Sequence, residues 1–211
     1  MTPMDSYTPE IRLPAPRTTG ITSVEEAIAA RRSVRVFSDQ PLTLEVLSQL
    51  LWSLQGMTGK RFRTVPSAGA TYPLQIIAAV GTFGITNLAA GCYLYLSEPH
   101  TLRAFKSGDL RTQLAKASLG QQAISTAPLN LVIAADYERT RSRYRNRTER
   151  YVHMEAGHAA QNLYLQAAAL GLGTAAIGAF DDTGMKDILS VPGDFRHLYI
   201  IPVGVPAKTI F

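Results

Sequence analysis

The segment from about Tyr151 to Leu170 constrains the fold more than any other part of the chain. On a helical wheel, Ala156, Ala159, Ala160, Leu163, Ala167 and Leu170 leave little polar face, and Gly171 stands where a helix end is expected. A helix apolar around most of its circumference must be covered on several sides. In a chain of 211 residues, which one domain accommodates, such a helix belongs at the centre of the domain or between two copies.

The other elements are expected around it. Residues 1–20 are Pro-rich and aperiodic and read as an extended N-terminal arm, with one domain over 21–211. Ser23 and Glu26 form a capping box for a first helix, which carries Val24, Ala27 and Ile28 as its stripe and ends near Arg31-Arg32. Thr43 caps a second helix with Leu44, Leu47, Leu51 and Leu54 on one face and Gly56 at its end. Apolar runs predict strands over 74–80, 91–96, 129–135, 174–180 and 197–203, and 100–126 reads as short helices, with another near 183–189. These elements do not strictly alternate, which predicts an α+β fold: helices packed around a central, mostly antiparallel, five-stranded sheet.

Several chemistries are excluded. The lone Cys92, inside the apolar run 91–96, forbids an intrachain disulfide and a Cys-rich zinc site and reads as a buried, inert thiol. His153 and His158 are five residues apart and do not share a helix face, so no metal site is expected. GxGxxG, GxxxxGK[ST] and GxSxG are all missing. No run approaches about 18 uninterrupted apolar residues, and the first 16 residues lack a signal peptide's apolar stretch; a cytoplasmic protein without membrane contact is the expectation. The net charge of +5 suits an anionic partner. Residues 139–150 hold six arginines but only Tyr144 and Tyr151 as nearby stacking aromatics, so a solvated loop is expected there and no nucleic-acid partner.

Three segments can carry chemistry. Arg31-Arg32-Ser33-Val34-Arg35 sets three guanidiniums and a hydroxyl within five residues, a pattern suited to a phosphate and equally to a helix C-terminus. Pro66-Ser67-Ala68-Gly69-Ala70-Thr71-Tyr72-Pro73 is a loop of small residues that lets backbone approach a flat ligand. Ala176-Ile177-Gly178-Ala179-Phe180 ends a strand with small residues whose N–H groups can face a ring.

In order along the chain, these segments resemble the SagB/ThcOx branch of the nitroreductase-like flavoproteins. The resemblance runs through 11–16, 30–35, Leu50-Leu51-Trp52 with Gln55-Gly56, 63–74, Glu155-Ala156-Gly157-His158-Ala159-Ala160-Gln161-Asn162-Leu163, 169–173, 178–181 and 201–204. It implies an interlocked homodimer with two FMN sites between the subunits, and a ping-pong oxidoreductase in which NAD(P)H or an organic donor reduces the flavin. It places Arg31, Arg32, Ser33 and Arg35 on the FMN phosphate and ribityl chain, with Lys208 as a further phosphate contact. Pro66, Ser67, Ala68, Gly69 and Ala70 of the other subunit would lie against the flavin. Gly178 and Ala179 would offer backbone N–H groups toward the ring's N5 and O4, with Ala176 and Ile177 of the same strand end among the cofactor-binding residues, and Gln121 or Gln122 would reach its pyrimidine edge. Azoline dehydrogenases of this type abstract a proton with a Lys-Tyr pair, matched here by Arg143-Tyr144 as catalytic residues. Arginine, with a pKa above about 12, is a poor general base, so the chain departs from that route. The substrate expected is a small molecule or a peptide-derived group. The alternatives are an azoline dehydrogenase or a non-catalytic flavin-binding subunit in a peptide-modifying complex.

Overall fold

Every residue of the strand Leu129–Ala135 is buried, so both of its faces must be covered. In the computed structural model, which describes residues 10–191 and 193–207, this strand lies near the middle of a seven-stranded antiparallel sheet. In chain order the strands are β1 (Glu10–Arg12), β2 (Leu74–Val80), β3 (Gly91–Leu96), β4 (Thr101–Ser107), β5 (Leu129–Ala135), β6 (Gly173–Thr174) and β7 (Arg196–Gly204). Their spatial order is β1-β4-β3-β2-β5-β7-β6.

Strand alternation divides the core into two layers. Ile76, Ala78, Leu129, Leu131, Ile133, Ile201 and Val203 face one side. There they meet α2 (Leu44–Gln55) through Leu47, Leu50, Leu51 and Leu54, and α6 (Thr148–Ala169) through Val152, Ala156, Ala159, Ala160, Leu163 and Ala167. Ile77, Ala79, Val132, Ala134 and Ile200 face the other side. Leu114 of α3 (Arg111–Ala117), Ile124 of α4 (Gln122–Thr126) and Met185 and Leu189 of α7 (Asp182–Leu189) cover them. The remaining helices are α1 (Val24–Ala30), with the Ser23–Glu26 capping box in place, and α5 (Tyr137–Tyr144). Among the described residues no helix is long and apolar enough to cross a membrane.

The expectation of five strands is corrected to seven. β4 pairs along β3 where short helices were expected, and β1, from the N-terminal arm, pairs with β4. Strand 174–180 shrinks to β6 plus a single bridge between Ile177 and Ile200, because the Ala176 N–H leaves the ladder for Tyr164 Oη at 2.7 Å. The Arg-rich segment is not a loop. Asp136 caps α5, and ion pairs Asp136–Arg139 and Glu138–Arg141 lie along it at i,i+3 spacing. The long helix spans Thr148–Ala169, and Gly171 follows it with φ 70°. One of its faces is buried, whereas Met154, Gly157, His158 and Gln161 are exposed in the single chain.

Candidate functional site

The first group of candidate residues forms where α1 stops. Arg31 caps the helix, its N–H donating to the Ala27 carbonyl at 3.0 Å, and the chain turns extended. Ser33 then bridges Thr174, and the Val34 N–H donates to the Thr174 carbonyl at 2.9 Å. Tyr164 of α6 joins the two strands. Its hydroxyl accepts from the Ala176 N–H at 2.7 Å and faces Ser33 Oγ at 3.2 Å, while the Arg31 guanidinium lies 5.5 Å from its ring centroid. Arg31, Ser33 and Ala176 are thus gathered over one phenol. Arg32 turns back to the Ala29 and Arg31 carbonyls at 2.8 and 2.7 Å, and Arg35 is exposed without a hydrogen bond or ion pair among the described residues. Ile177 is buried and pinned to Ile200 by two backbone bonds of 3.1 and 3.0 Å. Beyond it Gly178 and Ala179 are exposed, and their N–H groups donate to nothing among the described residues. Gln121 Nε2 reaches the Ala179 carbonyl at 3.5 Å, and Gln122 is exposed at the start of α4. Lys208 lies outside the described residues.

The second group is the loop after Pro66. Ala68–Ala70 make a single 3₁₀ turn, with Gly69 at φ 58°, Ala70 at 53° and Tyr72 at 45°. Left-handed backbone costs a residue with a side chain about 1–2 kcal/mol, and such strain needs outside support. That support is visible. The Tyr72 N–H donates to Ser67 Oγ at 2.9 Å, Arg139 Nη1 to the Tyr72 carbonyl at 3.2 Å, and Arg143 Nη1 to the Gly69 carbonyl at 3.1 Å. Thr71 and Thr140 join hydroxyls at 3.0 Å, and Arg63 stacks 4.7 Å over the Tyr72 ring. The Tyr144 hydroxyl sits so close to Gly69 that a Cβ there would lie 2.7 Å from it. Arg143 and Tyr144 therefore address the loop directly, the guanidinium as a clamp on its backbone.

Below this loop Glu155 is buried, and burial pushes its carboxyl up to about 7 although Ser67, Gln55 and Arg63 draw it down. Burial and the neighbouring Arg139 lower the pKa of Arg63. Glu155 and Tyr164 are nine positions apart on α6, about 13.5 Å of helix at 1.5 Å per residue. Between α1, α2, α6 and residues 17–24 opens a groove of ≈ 1000 Å³, with Trp52, Leu165 and Leu170 among its walls. Glu155 had a signal in the sequence, as a carboxylate on the buried face of an apolar helix. Tyr164 had none, since an aromatic there reads as core.

Arg31, Ser33 and Tyr164 thus stand beside the free N–H groups of Gly178 and Ala179, and the strained loop lies against Arg143 and Tyr144, on an α+β sheet. The chain belongs to the Nitroreductase family, which it matches over residues 28–205. It is 45% identical over 182 residues to a Methanocaldococcus jannaschii protein named as a nitroreductase, covering 86% of this chain and 90% of that protein. A solved Ralstonia eutropha structure, also named as a nitroreductase, superposes with a TM-score of 0.80 at 29% identity, covering 94% and 90% of the two chains. Two more distant structures share the fold. A chain of the Escherichia coli microcin synthetase McbBCD complex has a TM-score of 0.73 at 22% identity, covering 93% and 78%. The NADPH:FMN oxidoreductase of Vibrio harveyi has 0.64 at 20%, covering 88% and 70%.

Proposed function

We propose that the protein is an FMN-dependent oxidoreductase that takes electrons from NAD(P)H or an organic donor and reduces a small organic acceptor. The observation that carries this is the Tyr164-centred cradle, in which Arg31 and Ser33 stand beside the uncommitted N–H groups of Gly178 and Ala179. Those donors fit a phosphate monoester at one end and the acceptor atoms of a flavin edge at the other. FMN, when bound, supplies the two-electron chemistry; the protein supplies orientation and hydrogen bonds. Tyr144 is the proton-carrying group at the loop, and Arg143, fixed on the Gly69 carbonyl, positions it and is not a base. The fold shared with a microcin synthetase chain favours one second reading, a peptide-derived substrate taken inside a complex.

Purified protein is expected to be yellow and to release FMN, not FAD, on denaturation, and Arg31→Ala to weaken FMN retention. Losing one charge-assisted phosphate contact costs about 1.5–3 kcal/mol, about tenfold to a hundredfold in affinity. Chromatography of the released flavin and fluorescence titration of apoprotein measure both. FAD, no flavin, or an unchanged Arg31→Ala affinity overturns the reading.

The 66–70 loop of one chain is proposed to serve the Arg31 cradle of a second. Supporting this, α6 exposes Met154, Gly157, His158 and Gln161 on one side, and a Cβ at Gly157 would meet nothing within 4 Å in the single chain. A mid-helix glycine costs about 0.5–1 kcal/mol relative to alanine, and close approach of another backbone accounts for one. Gly157→Trp is expected to sediment as a monomer and to lose FMN in the same step, while the wild type sediments as a dimer. A wild-type monomer that holds stoichiometric FMN would refute the shared site.

A further inference from the structure

Glu155 takes no part in the chemistry above, yet it is only 3% exposed, and its Oε1 has no hydrogen-bond partner among the described residues. Gln55 Nε2, on a residue 1% exposed, has none either. Buried polar atoms without partners are rare in folded proteins and need a reason. Ser67 from the loop, Gln55 from α2 and Arg63 from the segment between them lie close enough to lower the carboxyl's pKa, although none of them gives Oε1 a hydrogen bond. Arg139 of α5, Tyr72 and Glu98 are the charged or titratable groups around Arg63 in turn. On α6 itself Tyr151 and the exposed His158 lie one turn away on either side.

A serine hydroxyl has one hydrogen and two lone pairs. In Ser67 one lone pair holds the Tyr72 N–H at 2.9 Å and so helps to keep Tyr72 at φ 45°. The hydrogen has two places to go. An ionised Glu155 accepts only, and draws it inward. A protonated Glu155 can itself donate to the second lone pair, which releases the serine hydrogen toward the open side of the loop. We propose that Glu155 is a positioning residue for this loop, acting through Ser67 by setting whether that hydroxyl's hydrogen points into the protein or out toward the cofactor face. The identity of what Ser67 faces rests on the flavin reading; the Glu155–Ser67–Tyr72 link does not. Since burial raises the carboxyl to about 7, the change falls at neutral pH, with the hydrogen offered outward below it and withheld above it.

Two measurements test this. In ¹⁵N-labelled apoprotein the Tyr72 amide shift is expected to titrate with a midpoint near 7, to stay flat in Glu155→Gln and Ser67→Ala, and to titrate again in Ser67→Thr. A flat amide in the wild type, or one that titrates unchanged in Glu155→Gln, overturns the link. In the flavin-loaded protein the FMN dissociation constant is expected to rise between about pH 6 and 8.5 more steeply in the wild type than in Glu155→Gln or Ser67→Ala. The excess is about two- to tenfold, the equivalent of one neutral hydrogen bond. Titration of the FMN phosphate is common to all the proteins and cancels. Parallel profiles would overturn the cofactor side of the proposal. Absence of FMN binding at every pH would overturn the flavin reading, and the Tyr72 amide then decides the link by itself.

Discussion

Glu155→Gln is expected to stabilise the protein by about 3 kcal/mol at pH 8.5 and to leave it nearly unchanged at pH 4. The carboxyl, ordinarily near 4.5, stands at about 7 in the folded chain because burial penalises its charge. A raised carboxyl pKa means that between these two values the folded state holds a proton which the unfolded state has released. Wild-type stability therefore falls, relative to the variant, as pH rises through that window, and the full cost stands above 7. Glutamine is uncharged and nearly isosteric, so it removes the pH-dependent cost while still filling the space. Other carboxylates contribute acid sensitivity equally to both proteins and drop out of the difference. Urea denaturation at pH 4, 6 and 8.5 measures it. Parallel stability curves for the two proteins, or a wild type that gains on the variant between pH 5 and 7, would show that Glu155 is not held as a buried acid.

What could be read from the sequence follows from how local each signal is. α1 and α2 were legible because capping and apolar stripe lie within one turn of each other: Ser23 with Glu26, Thr43 with Leu44 and Leu47. The buried strands β2 and β5 were legible as apolar runs. β4 was not, because Arg103 and Lys106 dilute its pattern and its support comes from pairing with β3, visible only once the chain has folded. α5 was hidden for a similar reason. It is polar nearly all round, and Thr140, Arg139 and Arg143 are tied to a loop about 70 residues earlier in the chain, a contact that no local pattern encodes. The same limit applies to the site. Arg31, Ser33 and the 176–179 segment could each be named, but the residue that assembles them, Tyr164, sits on another element and looks like packing. Glu155 carried a signal that went unused, a lone acid among Val152, Ala156 and Ala159 on the inward face, and the groups that bear on it, Ser67 and Arg63, lie on other elements.

Gly69→Ala is expected to cost about 2–3 kcal/mol and to weaken FMN retention by about tenfold or more. Two terms add. Gly69 adopts φ 58°, where an L side chain costs about 1–2 kcal/mol. Its new Cβ would also lie 2.7 Å from Tyr144 Oη and 2.9 Å from Arg143 Cδ. Both neighbours are ends of flexible side chains and can move, but Arg143 then gives up its 3.1 Å bond to the Gly69 carbonyl, a further loss of about 1 kcal/mol at an exposed position. The loop is poorly placed to absorb this, since Ala70 and Tyr72 already occupy the left-handed region without being glycine. The effect on flavin follows from the proposed contact: a loop released from Arg143 no longer presents Ser67 to the cofactor. Gly178→Ala is the control, because a Cβ there meets Tyr199 at an ordinary 3.7 Å with no positive φ, and its stability should match the wild type. Urea denaturation and FMN titration of both variants give the answer. If Gly69→Ala keeps wild-type stability and wild-type FMN affinity, the Arg143–Tyr144 pair does not hold the loop, and Tyr144 loses its claim to the proton chemistry at that site.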